Sequence, residues 1–106
     1  MITIYKYPIP DAVNSIDLPL GAQIIKADFD PTGQLCIWAC VDTEADTEDI
    51  KIWKIGTGWP LNDMLEKYRM SYINSVNEGP YVWHIFKLED KGFIQAANAC
   101  EAMAHE

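Results

Sequence analysis

Residues 35–41, Leu35-Cys36-Ile37-Trp38-Ala39-Cys40-Val41, form an unbroken apolar run that ends at Asp42. A strand with one wet face would alternate apolar and polar residues, so this run reads as a strand covered on both faces. It lies between Pro31-Thr32-Gly33 and an acidic loop, a spacing that suits a strand and is short for a helix. We take it as the central strand, for which the rest of the chain must supply neighbours.

Those neighbours lie on both sides. Ile2 to Ile9 alternates loosely, and Pro8 and Pro10 place this first strand at a sheet edge, because proline cannot donate to a ladder. Ser15 to Leu18 alternates again after a turn-rich Asp11–Asn14 segment, which predicts a hairpin between the two. Ala22 to Phe29 follows as a strand. Asp30-Pro31-Thr32-Gly33 suits a type I turn and joins that strand to the central one. Downstream, 50–55, 70–76 and 81–88 read as strands. Leu61, Met64, Leu65 and Tyr68 have helical spacing, which predicts a short helix near 61–68. Asp90 can cap a closing helix over 91–105, whose apolar stripe is Phe93, Ala97, Cys100 and Ala104. That stripe predicts docking on the sheet or on a second copy in a homodimer. The expected fold is mainly β: about seven short antiparallel strands in a sandwich or barrel, with these two helices. All 106 residues form one domain, with the β core over 2–88.

Charge bears most directly on partners. Sixteen acids against eight bases give −8, and five carboxylates crowd into residues 42–49: Asp42, Glu44, Asp46, Glu48 and Asp49. Direct nucleic-acid binding needs cationic surface for phosphates, and an anionic membrane surface needs the same, so neither is expected. A host protein with a basic surface is the expected partner, and the acidic residues are its candidate contact site. No stretch approaches the roughly 18 apolar residues of a membrane span. The start, Met1-Ile2-Thr3-Ile4-Tyr5-Lys6, does not resemble a signal peptide, and three cysteines, an odd count, suit a reducing compartment. The expected location is cytoplasmic.

Catalytic and metal motifs are sparse. Cys36 and Cys40, four apart on a strand, would stand about 13 Å apart, too far for a disulfide or a shared zinc. The acidic run has acids at the first, third and fifth places of a calcium loop. Thr47 replaces its glycine, however, and Trp53 its closing glutamate. His84 has no carboxylate nearby in sequence and reads as a buried histidine donating to a backbone carbonyl. No nucleophile elbow, zinc-protease motif or phosphate loop occurs. No catalytic residue, metal or cofactor is expected. Gly56-Thr57-Gly58 forms a turn, equally explained by positive φ or by an anion-binding nest. With Trp59, Tyr81 and His84 it makes a second candidate site, for a small molecule.

Five segments taken together carry a resemblance: Ile4-Tyr5-Lys6-Tyr7, Leu18-Pro19-Leu20-Gly21-Ala22, Leu35 to Asp42, Ile55-Gly56-Thr57-Gly58-Trp59-Pro60 and Val82-Trp83-His84-Ile85-Phe86. Over residues 2–88 the chain resembles a family of small uncharacterised proteins of tailed bacteriophages. That pattern has Tyr-Ile-Gly-Thr-Val before the last strand, where this chain has Tyr72-Ile73-Asn74-Ser75-Val76. The acidic loop and the closing helix look like additions to it. The resemblance implies phage origin and expression in a bacterial host, and carries no activity with it. Two functions follow as expectations. The first is a non-catalytic accessory protein that modulates or inhibits a host protein, for example a nucleic-acid-handling or defence factor, through the acidic surface. The alternative is a sponge for a small molecule or nucleotide signal that counteracts host immunity, or a minor virion component.

Overall fold

Seven strands and one short helix make up residues 1–91, which are the residues described in a computed structural model. The strands are β1 (Ile2–Pro8), β2 (Val13–Pro19), β3 (Gln23–Phe29), β4 (Leu35–Asp42), β5 (Thr47–Gly56), β6 (Tyr68–Glu78) and β7 (Tyr81–Asp90). The helix α1 covers Asn62–Lys67. All but the first residue of the helix predicted over 91–105 falls outside the described residues, and so does Cys100. A three-stranded sheet has the order β1-β4-β3 and a four-stranded sheet the order β2-β5-β7-β6, with every pairing antiparallel. The two enclose a core of Leu35, Ile37 and Ala27 from one sheet and Leu18, Ile52, Ile85 and Val76 from the other. The arrangement is sandwich-like.

The central apolar run is the middle strand of its sheet, as its composition requires. Its two faces are nevertheless unequal. Leu35, Ile37, Ala39 and Val41 are buried against the second sheet. On the outer face Cys36 is buried, while Trp38 and Cys40 are half-buried. No layer of described residues lies over that face. Lys6 and Lys26 stand opposite Trp38 in the flanking strands, and the Lys26 ammonium is 5.1 Å from the Trp38 ring centroid. Long cationic side chains lay their methylene stems on apolar surface while their heads stay wet, and here they substitute for a packed layer.

The hairpin predicted between the first two strands does not form. β1 pairs with β4 and β2 with β5, so the two strands belong to different sheets. The connection explains this. Pro8 and Pro10 remove ladder donors, and Ile9 between them is completely buried, its N–H donating to Leu35 O at 2.9 Å. Ile9 therefore pins the crossover in the core instead of letting the chain fold back. The turn before β4 does form as predicted: Gly33 N–H donates to Asp30 O at 2.9 Å, with Gly33 at φ 88°.

β5 is longer than its apolar pattern suggested and is buried on both faces. Ile50 and Ile52 point into the inter-sheet core. Trp53 and Ile55, with Leu88 of β7, are covered by Leu61 and Met64 at α1. In β6 the register slips between Tyr72 and Asn74. At that bulge the Asn74 side chain accepts from Ala27 N–H at 2.7 Å and donates to Ala27 O at 2.8 Å. Asn74 thus joins the edges of the two sheets.

Candidate functional site

The end of β5 makes a tight turn. Trp59 N–H donates to Gly56 O at 3.1 Å, and Gly58 has φ 88°, a conformation that glycine reaches without steric cost. The reversal lays the Trp59 indole on Gly56, where an added Cβ would come within 2.6 Å of Nε1. Only a glycine at position 56 lets the indole sit there. Trp83 of β7 is opposite Gly56 in the ladder, so both project from the sheet face that carries Ile52 and Ile85. Its ring meets Trp59 edge-on, with centroids 5.6 Å apart at 77°. Tyr81, two residues earlier on the same face, is 6.1 Å from Trp83 at 24°. Lys54, two residues before Gly56, places its ammonium 4.7 Å from the Trp83 ring centroid. The Trp83 indole N–H donates to Glu78 Oε1 at 3.2 Å. The three rings face an open cleft of about 460 Å³ lined by Gly56, Thr57, Trp59, Pro80, Tyr81, Val82 and Trp83, with Lys54 and Glu78 beside it rather than in its wall. That volume is in the range of ligand pockets. Trp59 is 44% exposed and Tyr81 62%, so the aromatic walls are open to solvent.

The structure therefore gathers Gly56, Thr57, Trp59 and Tyr81 of the second candidate site, while Gly58 shapes the turn without lining the cleft. His84 lies elsewhere. It is opposite Ile55 and Ser75, hence on the other face of the sheet from Trp83. Nor is it buried against a backbone carbonyl. Nε2 is 2.7 Å from Thr57 Oγ1 and Nδ1 is 2.8 Å from Ser75 Oγ, which is itself 2.8 Å from Tyr72 OH. Each hydroxyl can donate or accept, so either imidazole tautomer is satisfied. The ring braces Thr57 from behind, and a run of hydroxyls takes the place of the carboxylate that would orient a general base.

The carboxylates of residues 42–49 do not form one loop. Asp42 ends β4, where it pairs with the Met1 amino group at 3.5 Å and accepts from Glu44 N–H at 3.1 Å. Glu44 and Asp46 lie in the connection to β5. Glu48 and Asp49 are already in β5, with Asp49 3.1 Å from Lys51 and opposite Asp17 of β2. A second cleft of about 470 Å³ is lined by Glu48, Asp49, Glu89 and Asp90 with Lys51, Lys87 and Tyr68 among its walls. The sequence reading gave Glu89 no role and Asp90 only that of a helix cap. Among the described residues no His, Cys, Asp or Glu group could hold a metal ion, and no helix is long and apolar enough to cross a membrane. Cys36 and Cys40 are free thiols, and burial pushes the Cys36 thiol up from its ordinary value.

A family model with the description "Domain of unknown function (DUF7352)" matches residues 1–94. The chain belongs to this family. No curated protein and no solved structure matches it. The matched span takes in β1 to β7, and with them both clefts.

The sequence reading missed Lys54, Glu78, Val82 and Trp83. A signal was present for two of these. Lys54 and Gly56, like Tyr81 and Trp83, are spaced by two and so share a strand face. What brings the two pairs together is the β5–β7 register, which no local pattern contains.

Proposed function

We propose that this protein is a non-catalytic binding protein whose recognition element is the cleft of Trp59, Tyr81 and Trp83. The observation that carries this reading is the Trp59 indole seated on Gly56 against Trp83. A large aromatic side chain is folded back by a glycine turn and held half-exposed, where burial alone would have tucked it inward. The support beneath it is rigid, because β5 and β7 are paired and His84 fixes Thr57. The resemblance to tailed-phage proteins supplies the setting: a small accessory protein acting in an infected bacterial cell on a host component, with host defence as one target class.

A second reading keeps the acidic surface as the contact for a basic host protein. It is favoured by the convergence of Glu48 and Asp49 with Glu89 and Asp90 around one cleft. In that case Glu44 and Asp46 contribute long-range steering, and the strand residues make the contact.

Native mass spectrometry of the protein purified from cells that express it tests the choice. A bound species retained by the wild type and by Glu44→Gln/Asp46→Asn/Glu48→Gln/Asp49→Asn, but lost from Trp59→Ala, supports the cleft. A species lost from the quadruple variant and retained by Trp59→Ala overturns it in favour of the acidic surface.

A further inference from the structure

We infer that the aromatic cleft takes a cationic group, an alkylammonium or guanidinium, at the Trp83 ring that Lys54 now occupies; this rests on the cleft being the recognition element. The chain carries sixteen acids and eight bases, so carboxylates outnumber the cations available to them. Lys6, Lys26, Lys51 and Lys87 each have one within 4.0 Å. Among the described residues Lys54, Lys67 and Arg69 have none, and of these Lys54 alone is seated on an aromatic ring, its ammonium 4.7 Å from the centroid of Trp83. An ammonium that settles on an indole in so acidic a protein marks that ring face as a cation acceptor.

The surroundings point the same way. Trp83 N–H donates to the Glu78 carboxylate, which places negative charge at the indole edge and makes the ring face more attractive to a cation. Trp59, nearly perpendicular to Trp83, and Tyr81, nearly parallel to it, pack against that ring and add aromatic surface to the adjoining cleft. Exposed clusters of aromatic rings are surfaces on which quaternary ammonium groups can be recognised. No charged side chain lines the cleft. An entering cation breaks no ion pair in the wall, while a phosphate would meet no base there except Lys54. Net charge −8 favours a cation again at longer range. Lys54 thus acts as a tethered competitor, holding the ring until a ligand cation displaces it.

The test is titration of isotope-labelled protein, following the indole N–H resonances of the four tryptophans by NMR at matched ionic strength. The titrants are tetramethylammonium, methylguanidinium, the peptide acetyl-Gly-Arg-Gly-amide and adenosine monophosphate. The expected result is that both small cations shift the Trp59 and Trp83 signals and leave buried Trp53 in place. Lys54→Met should then tighten tetramethylammonium binding about threefold or more, since a competing cation is removed. Trp59→Ala should weaken it, with an unchanged Trp53 signal showing that the fold persists. A peptide that binds more tightly than methylguanidinium identifies a protein side chain as the source of the cation, and equal binding identifies a small free cation. Shifts caused by adenosine monophosphate alone would overturn the cation assignment while leaving the cleft as the recognition element. No response at Trp59 and Trp83 to either cation, or weaker binding in Lys54→Met, would also overturn it.

Discussion

Trp38 and Trp53 occupy matching places, each on the outward face of an interior strand of its sheet, and they are covered in opposite ways. Trp53 is 5% exposed and packs with Ile55 and Leu88 under Leu61 and Met64. Trp38 is half-buried between Lys6 and Lys26, and Lys6 is in turn tied to Asp30 at 2.8 Å. One sheet closes its outer face with apolar side chains at a two-turn helix. The other closes it with cationic stems fastened at their tips. The first cover is a hydrophobic one and depends on shape. The second depends on the charge state of a carboxylate.

The largest expected effect is at the apolar cover. Trp53→Ala should lower unfolding free energy by about 3–5 kcal/mol, the cost of deleting a fully buried large aromatic. Denaturant titration measures it. Trp38→Ala should cost clearly less, on the order of 1–2 kcal/mol, because much of the ring already meets water or lysine methylenes. Equal losses at the two positions would show that both faces are covered alike and would end the comparison.

Acid sharpens it. The Asp30 carboxylate is held well below the usual carboxylate range, first by the bond from Lys6, then by Thr32 Oγ1 and by the N–H groups of Gln34 and Thr32. The same bond pushes Lys6 up from its ordinary value. A carboxyl group with a lowered folded pKa stabilises the protein above its unfolded value, near pH 4, and loses that effect as pH falls through the folded value. The stability gap between wild type and Asp30→Asn should therefore be widest at neutral pH and shrink below about pH 4. The gap between wild type and Trp53→Ala should stay constant across the same range. Thermal unfolding of the three proteins from pH 7 down to acid checks both statements.

The smallest effect lies away from both covers. Asp46→Asn, in the exposed connection between β4 and β5, should change stability by no more than about 0.5 kcal/mol. A larger loss in a denaturant titration would give that connection a structural role and would add a third kind of cover to the comparison.

Much of this was readable from the residues. The run from Leu35 to Val41 gave away the central strand because nothing polar interrupts it, and Asp30 to Gly33 gave its hairpin because turn chemistry is local. Read from the run alone, however, Trp38 looks as buried as Trp53, since lysine stems leave no apolar signature. The partners of β1 and β2 were hidden for a different reason. Pro8 and Pro10 mark an edge without saying of which sheet, and pairing between residues some 35 positions apart has no local trace. At the site, Gly56 to Trp59 was legible as a turn beside an exposed tryptophan. Trp83 was not, because only the register sets it across from Gly56. The same parity moves His84, its neighbour in sequence, to the opposite face.

Asn74 carries a consequence of its own. Following the hydrogen bonds from β1 through β4 and β3, across the Asn74 amide to β6, and on through β7 and β5 to β2, traces a single belt with one clasp. Strand edges left open are templates on which other chains can add, and β3 and β6 would each offer one. A lone amide, donor on one side and acceptor on the other, imitates a missing strand residue and joins the two edges at Ala27. Were it hydrolysed to a carboxylate, the donor facing the Ala27 carbonyl would become a second acceptor, and the clasp would repel what it now holds. The continuity of the belt thus depends on which atoms one side chain carries, while the core beneath it holds the sheets together.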